Sequence, residues 1–264
     1  MKALQDPASL GLNWKFTVKA SKDANEVIVQ SSPFALIASS GSFEFEDTSD
    51  LKTRQHMSYV SADIVRAMIW FVHSGEVDPE IKKLDQVVQM ADLAHQLEIE
   101  PLKDIFVSRA MHQMQIQDVW KVLAIGSDVD ELRGYCDMIL IHDTQKCLDI
   151  EYFKHVQEID LKYFLDFPAM NIDSEYDLVK AVVRLHEATG NRQLVDLAIP
   201  HLRLLTLERH QLEIIEEYLN QFEYNAILKW HERRQEAMLP RRICPYSYKR
   251  KRPAMPNSLS TCLF

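Results

Sequence analysis

Glycine is scarce, with 6 in 264 residues, against roughly 7% in an average protein. That leaves few tight turns and few loops able to cradle a phosphate. Neither G-x-x-x-x-G-K-[ST] nor G-x-G-x-x-G occurs, so nucleotide binding has no support. A chain poor in glycine favours helices joined by short links. Cysteine is scarce as well. Cys136, Cys147, Cys244 and Cys262 are scattered, and no two stand at C-x-x-C spacing. With no secretory leader read in the sequence, such cysteines point to reduced thiols in a cytoplasmic or nuclear protein. Long apolar runs are missing too. Met68–Val72 falls far short of the roughly 20 residues that span a membrane.

What is present is core material and unevenly placed charge. Hydrophobic residues make up 47% of the chain, enough for a sizeable interior. The formal charge is -9, but residues 231–264 alone carry +6, which leaves -15 on residues 1–230. A body this acidic repels nucleic acid, and only the basic end could attract it.

Periodicity divides the chain into a head, a body and an end. Trp14, Phe16 and Val18 alternate with polar neighbours and predict a strand. Residues 26–30 predict a second strand and 57–60 a third. Residues 33–40 predict a short helix with Pro33 in its first turn, and the polar, acidic stretch 44–56 a loop. From residue 61 the pattern is helical. Ile64, Ala67, Met68, Phe71 and Val72 mark one face of a helix that Val65 and Ile69 make apolar on other sides too, a pattern that predicts deep burial. Leu84–Ala94 and Leu102–Ala110 predict two more, the latter opened by Pro101. Eight further helices are predicted over 117–126, 129–142, 150–157, 160–166, 174–188, 193–201, 208–217 and 219–233, and Ser174 with Asp177 forms a capping box. The expected fold class is an α+β head with a small sheet, followed by an all-α body. The expected boundaries are an arm over 1–12, the head over 13–114, the helical domain over 115–233 and a basic, disordered tail over 234–264.

Three stretches invite a catalytic or metal-binding reading. His73-Ser74-Gly75-Glu76 sets a base, a hydroxyl and a carboxylate side by side. Chain neighbours seldom face each other, no G-x-S-x-G elbow surrounds Ser74, and Gly75 after a long apolar helix is an ordinary stop signal. His73 at a helix C-terminus is expected to be favoured when charged. His186-Glu187 resembles the start of H-E-x-x-H, but Gly190 stands where the second ligand is needed. Gly126–Glu131 has acidic spacing without the later glycine and glutamate of a calcium loop. No catalytic residue, metal site or cofactor is expected, and a helical protein without such chemistry works by binding other proteins. The run Tyr248–Pro253 places Lys249, Arg250, Lys251 and Arg252 together, with Arg241 and Arg242 upstream. These six are a candidate nuclear-import signal or anion patch.

Two strands and a helix, then "VSADIVRAMIWFVHSGEV" and "LDQVVQMADLAHQLEIEPLKDIFVSRAM", resemble the later half of a BTB (POZ) domain. His73, Ser74, Gly75, Glu76 and Val77 stand where that family commonly has Tyr-Thr-Gly-Glu-Val. Leu36, Ser40 and Phe43 match its Leu-Ala-x-x-Ser-x-x-Phe pattern. Ser32 and Pro33 replace the usual His and Lys, and Asn13 the usual Asp. Residues 115–218 resemble the BACK domain that often follows, with Leu185 and His186 where a Trp is usual. No Kelch or MATH module is read beside these regions. The resemblance implies a homodimeric, non-enzymatic adaptor, of the kind that joins a client protein to a cullin-type ubiquitin ligase. It makes Phe43, Phe45, Glu46 and Asp47 the candidate cullin-binding loop, with Asp47 where the family has Glu. The other expectation is a nuclear scaffold or transcription regulator localised by its basic end.

Overall fold

The computed structural model describes residues 14–18, 27–41, 60–233 and 238–253. The chain divides into two compact units. The first is Met1–Met114 with Ile125–Arg133, and the second is Gln115–Ala124 with Gly134–Phe264. The first unit breaks at residue 114 and takes in 125–133 as a separate segment.

In the first unit, β1 (Trp14–Val18) and β2 (Val27–Ser31) form an antiparallel ribbon with Phe16 opposite Val29. Among the described residues no other strand joins it. The expected α+β head with a small sheet is therefore corrected, because the described head is mainly helical. Of the predicted third strand only Val60 is described, and it lies in a bend before a helix. A two-stranded ribbon is marginal alone, and here β2 packs on a helix, with Val29 and Ser31 buried. The helices of this unit are α1 (Pro33–Ser39), α2 (Ala62–Ser74), α3 (Leu84–Gln96) and α4 (Glu100–Gln113). At the start of α2, Ser61 Oγ accepts the Ile64 N–H at 3.4 Å, satisfying one of the orphan donors of the first turn. Ile64, Val65, Ala67, Met68 and Ile69 are buried, so α2 is covered on more than one face, as its all-round apolar pattern predicts. Helices α3 and α4 form a tight antiparallel hairpin, and Glu98 at its turn takes a left-handed φ of 54°.

Next come α5 (Val119–Gly126), α6 (Asp130–His142), α7 (Thr144–Cys147), α8 (Ile150–Phe153), α9 (Glu158–Leu165), α10 (Glu175–Thr189), α11 (Arg192–Ala198), α12 (Arg209–Leu212) and α13 (Gln221–Arg233). The core of the second unit is built around Trp120. Its ring meets Phe164 edge-on at 5.2 Å and Phe153 at 5.4 Å, and its indole N–H donates to the Cys147 carbonyl at 2.9 Å. That hydrogen bond satisfies the one polar atom of a wholly buried indole. The Ser174 N–H donates to Asp177 at 3.1 Å, closing the predicted cap of α10.

Residues 238–253 differ from expectation. The sequence shows no periodicity there and reads as part of a disordered tail. In the structure they run as an irregular strap bound to the second unit, with a turn closed by the Ile243 N–H donating to the Pro240 carbonyl at 3.0 Å. Ile243, Cys244 and Arg250 are buried. The Lys251 N–H donates to the Pro168 carbonyl at 3.3 Å, and the Lys251 carbonyl accepts the Met170 N–H at 3.0 Å. Ion pairs and backbone bonds fix this segment, and neither leaves a hydrophobic period to read.

Candidate functional site

The strap is held at one buried node. Glu175 is the first residue of α10, where a carboxylate is favoured by the helix N-terminus. It accepts the Arg203 backbone N–H at 2.9 Å, Arg250 Nε at 3.1 Å and Arg250 Nη2 at 3.3 Å. The Arg250 guanidinium also donates to the Phe167 carbonyl at 2.6 Å and the His201 carbonyl at 2.9 Å. A bidentate, fully hydrogen-bonded pair is the arrangement that offsets desolvation of two charges. Arg203 extends the node. It donates to the Tyr248 carbonyl at 3.1 Å, and its guanidinium lies 4.9 Å from the Tyr248 ring and 5.3 Å from that of Tyr246.

The six predicted basic residues divide by role. Arg250 is buried in the node. Arg242 pairs with Asp196 and Glu223, and Arg252 pairs with Asp173 at 2.8 Å. Arg241, Lys249 and Lys251 have exposed side chains. The run Lys249–Arg252 thus alternates, since in extended backbone successive side chains point to opposite faces. Arg250 and Arg252 meet carboxylates of the body, while Lys249 and Lys251 face solvent. Phe43, Phe45, Glu46 and Asp47 lie outside the described residues.

Sequence reasoning missed Glu175 and Arg203. The signal for Arg203 is its place in Leu202–Leu205, an arginine among buried leucines, which calls for a buried partner. Glu175 carries none, because first-turn carboxylates are mostly solvated.

The stretch around His73 resolves into two separate parts. Ser74 Oγ donates to the Trp70 carbonyl at 2.7 Å and accepts the Glu76 N–H at 3.0 Å. Gly75 takes φ 73° and its N–H caps Phe71, so Ser74 and Gly75 serve the helix end. His73 Nε2 instead faces Ser31 Oγ at 3.2 Å. Ser31 is wholly buried, so that hydroxyl is not presented to a substrate. Partial desolvation lowers the His73 pKa, the direction opposite to the expected helix-end preference for its charged form. Gly190 caps α10 with φ 70°, and the His186 ring meets Tyr218 edge-on at 5.5 Å.

Burial pushes the Cys136 and Cys147 thiols up to about 12, which keeps them protonated and unreactive. Among the described residues no group of three or more His, Cys, Asp or Glu could hold a metal ion, and no helix is long and apolar enough to cross a membrane.

A second surface feature lies at the start of α9. An open cavity of about 620 Å³ is lined by Lys154, Val156, Glu158, Ile159, Asn191 and Leu194, among others. Ile159 is 77% exposed there. A single exposed apolar side chain is ordinary on a protein surface, but here Ile159 lines the same cavity as Val156 and Leu194, so the three offer one apolar contact site.

No family model matches this chain, and no curated protein matches its sequence.

Proposed function

We propose that this chain is a non-enzymatic protein-interaction adaptor of the BTB–BACK type, and that it works as a dimeric client adaptor of a cullin-type ubiquitin ligase. The observation that carries the reading is Ile159, a large apolar side chain set out in solvent at the mouth of a cavity beside Val156 and Leu194. Such a feature suits capture of an apolar side chain from a protein client. The resemblance over residues 13–218 supports the adaptor class, and Phe43, Phe45, Glu46 and Asp47 supply the cullin-facing loop.

A pull-down with purified cullin tests it. The parent protein binds, Phe45→Ala and Glu46→Ala lose binding, and Ile159→Asp retains it. A parent protein that does not bind removes the ligase role. Light scattering on a sizing column tests the dimer, and a strict monomer at micromolar concentration sinks it.

The second reading is a nuclear scaffold localised by its basic end. The exposed side chains of Arg241, Lys249 and Lys251 favour it. Changing Arg241, Lys249 and Lys251, whose side chains face solvent, to alanine in a fluorescent fusion separates the two readings. Loss of nuclear signal supports the second, and an unchanged distribution removes it.

A further inference from the structure

We infer that the strap over 238–253 is an autoinhibitory clasp. It keeps the four-cation run Lys249–Arg252 silent toward acidic protein surfaces until the strap is released. The inference concerns the strap alone and stands or falls separately from the adaptor reading.

Residues 231–264 carry +6 and the rest of the chain -15. The nearest acidic surface for the basic end is therefore the chain's own body, at an effective concentration no separate partner matches. Contact is made by Arg242 to Asp196 and Glu223, Arg250 to Glu175, and Arg252 to Asp173. These occupy two of the four consecutive cations. The Lys251 backbone is bonded on both sides, to Pro168 and Met170, so the run cannot reorient to present all four side chains together.

The hold is uneven. The Arg252–Asp173 pair is exposed, with side chains 65% and 88% accessible, whereas Arg250 and Glu175 are each 2% accessible. Exposed pairs contribute little, so the last residues open easily while Arg250 acts as the lock. A partner that needs all four cations must bind the open form. Its apparent affinity falls by the fraction of molecules that are open. The partner chemistry is an acidic protein surface. Nucleic acid is disfavoured because the body's charge repels a phosphate backbone.

The test uses the full chain with Asp173→Asn and Asp196→Asn together. Both sites are exposed enough for the fold to tolerate the change. Glu175→Gln provides a second, stronger release. Glu76→Gln with Glu80→Gln matches the charge change of the double variant at exposed positions of the first unit, to which the strap does not belong. Tryptic cleavage within 249–252 reads release, and fluorescence anisotropy reads binding of a short polyglutamate peptide and, separately, of a single-stranded oligonucleotide. The expected result is faster cleavage and tighter polyglutamate binding in both released variants, by about twofold where only the exposed pairs are removed and by about tenfold with Glu175→Gln, with the charge control like the parent. The inference is overturned if the strap stays protected in both released variants. It is also overturned if release brings no gain, if the charge control gains equally, or if only the oligonucleotide binds more tightly.

Discussion

Arg250 Nε lies 3.1 Å from Glu175 Oε2, and both side chains are 2% accessible. The two residues stand 75 positions apart, so this pair closes a long loop of chain that contains α10 to α13. It also gives the second unit a polar contact at the start of its longest helix, where Glu175 answers both a guanidinium and the Arg203 N–H. The energetic consequence is asymmetric. A paired, hydrogen-bonded buried couple adds little over an apolar substitute, but half of one is costly.

Arg250→Ala should therefore destabilise the second unit by about 3–5 kcal/mol, since it leaves the Glu175 carboxylate buried and undercompensated. Arg250→Met with Glu175→Gln should cost markedly less, because the unpaired charge is gone while the amide still accepts the Arg203 N–H. Urea melts of the three proteins decide this. A double variant as weak as Arg250→Ala would remove the unpaired-charge explanation.

Glycine at 126 is required by packing. A Cβ built there would stand 2.9 Å from Val88 Cγ1 and 3.2 Å from Leu132 Cδ1. Gly126→Ala would normally stabilise a helix by up to about 1 kcal/mol. Here it should instead destabilise by about 1–3 kcal/mol through overpacking. Adding Val88→Ala should recover part of the loss. Thermal melts that show Gly126→Ala stabilised would contradict the contact.

Much of this architecture was legible because helices announce themselves twice, by period and by caps. The all-round apolar pattern of α2, the Ser174–Asp177 pair before α10 and the stop at Gly75 all lie where the residue types predict. The short α7 was not predicted. Its four residues show too little period, and it is fixed by Thr144, whose buried hydroxyl donates to the Leu140 carbonyl at 2.6 Å. Among the described residues the predicted sheet is one ribbon, since alternation marks a strand without supplying its neighbour. The strap was illegible for a different reason. Its order comes from carboxylates distant in sequence, and a basic run reads alike whether solvated or clasped.

Asp92 offers a test of charge burial in the first unit. Desolvation, with Asp128 nearby, raises its pKa to about 6, and His95 and a 2.8 Å hydrogen bond from Gln96 Nε2 only partly offset this. A carboxyl raised above its unfolded value stabilises the fold below about pH 4. That contribution is lost as pH rises through about 6. Asp92→Asn should therefore be more stable than the parent at pH 7.5, by on the order of 1 kcal/mol after screening. The gap should close at pH 4. A variant advantage equal at both pH values would mean the carboxyl is not under strain.

His73 should respond in the opposite direction. Its Nε2 faces Ser31 Oγ at 3.2 Å and the Ser32 N–H at 3.5 Å. An unprotonated nitrogen can accept from both, and an imidazolium from neither. Burial lowers the pKa, so the native state takes up its proton later than the unfolded chain does. The stabilising contribution is complete above the ordinary histidine value of about 6.5. It is lost as pH falls through the lowered native value. The parent should thus lose stability on acidification from pH 7.5 to 5, and His73→Gln, whose amide oxygen can still accept from Ser31, should lose less. NMR titration of the His73 ring locates the native pKa directly. A value above the unfolded one would show that the end of α2, rather than the contact with β2, governs this histidine.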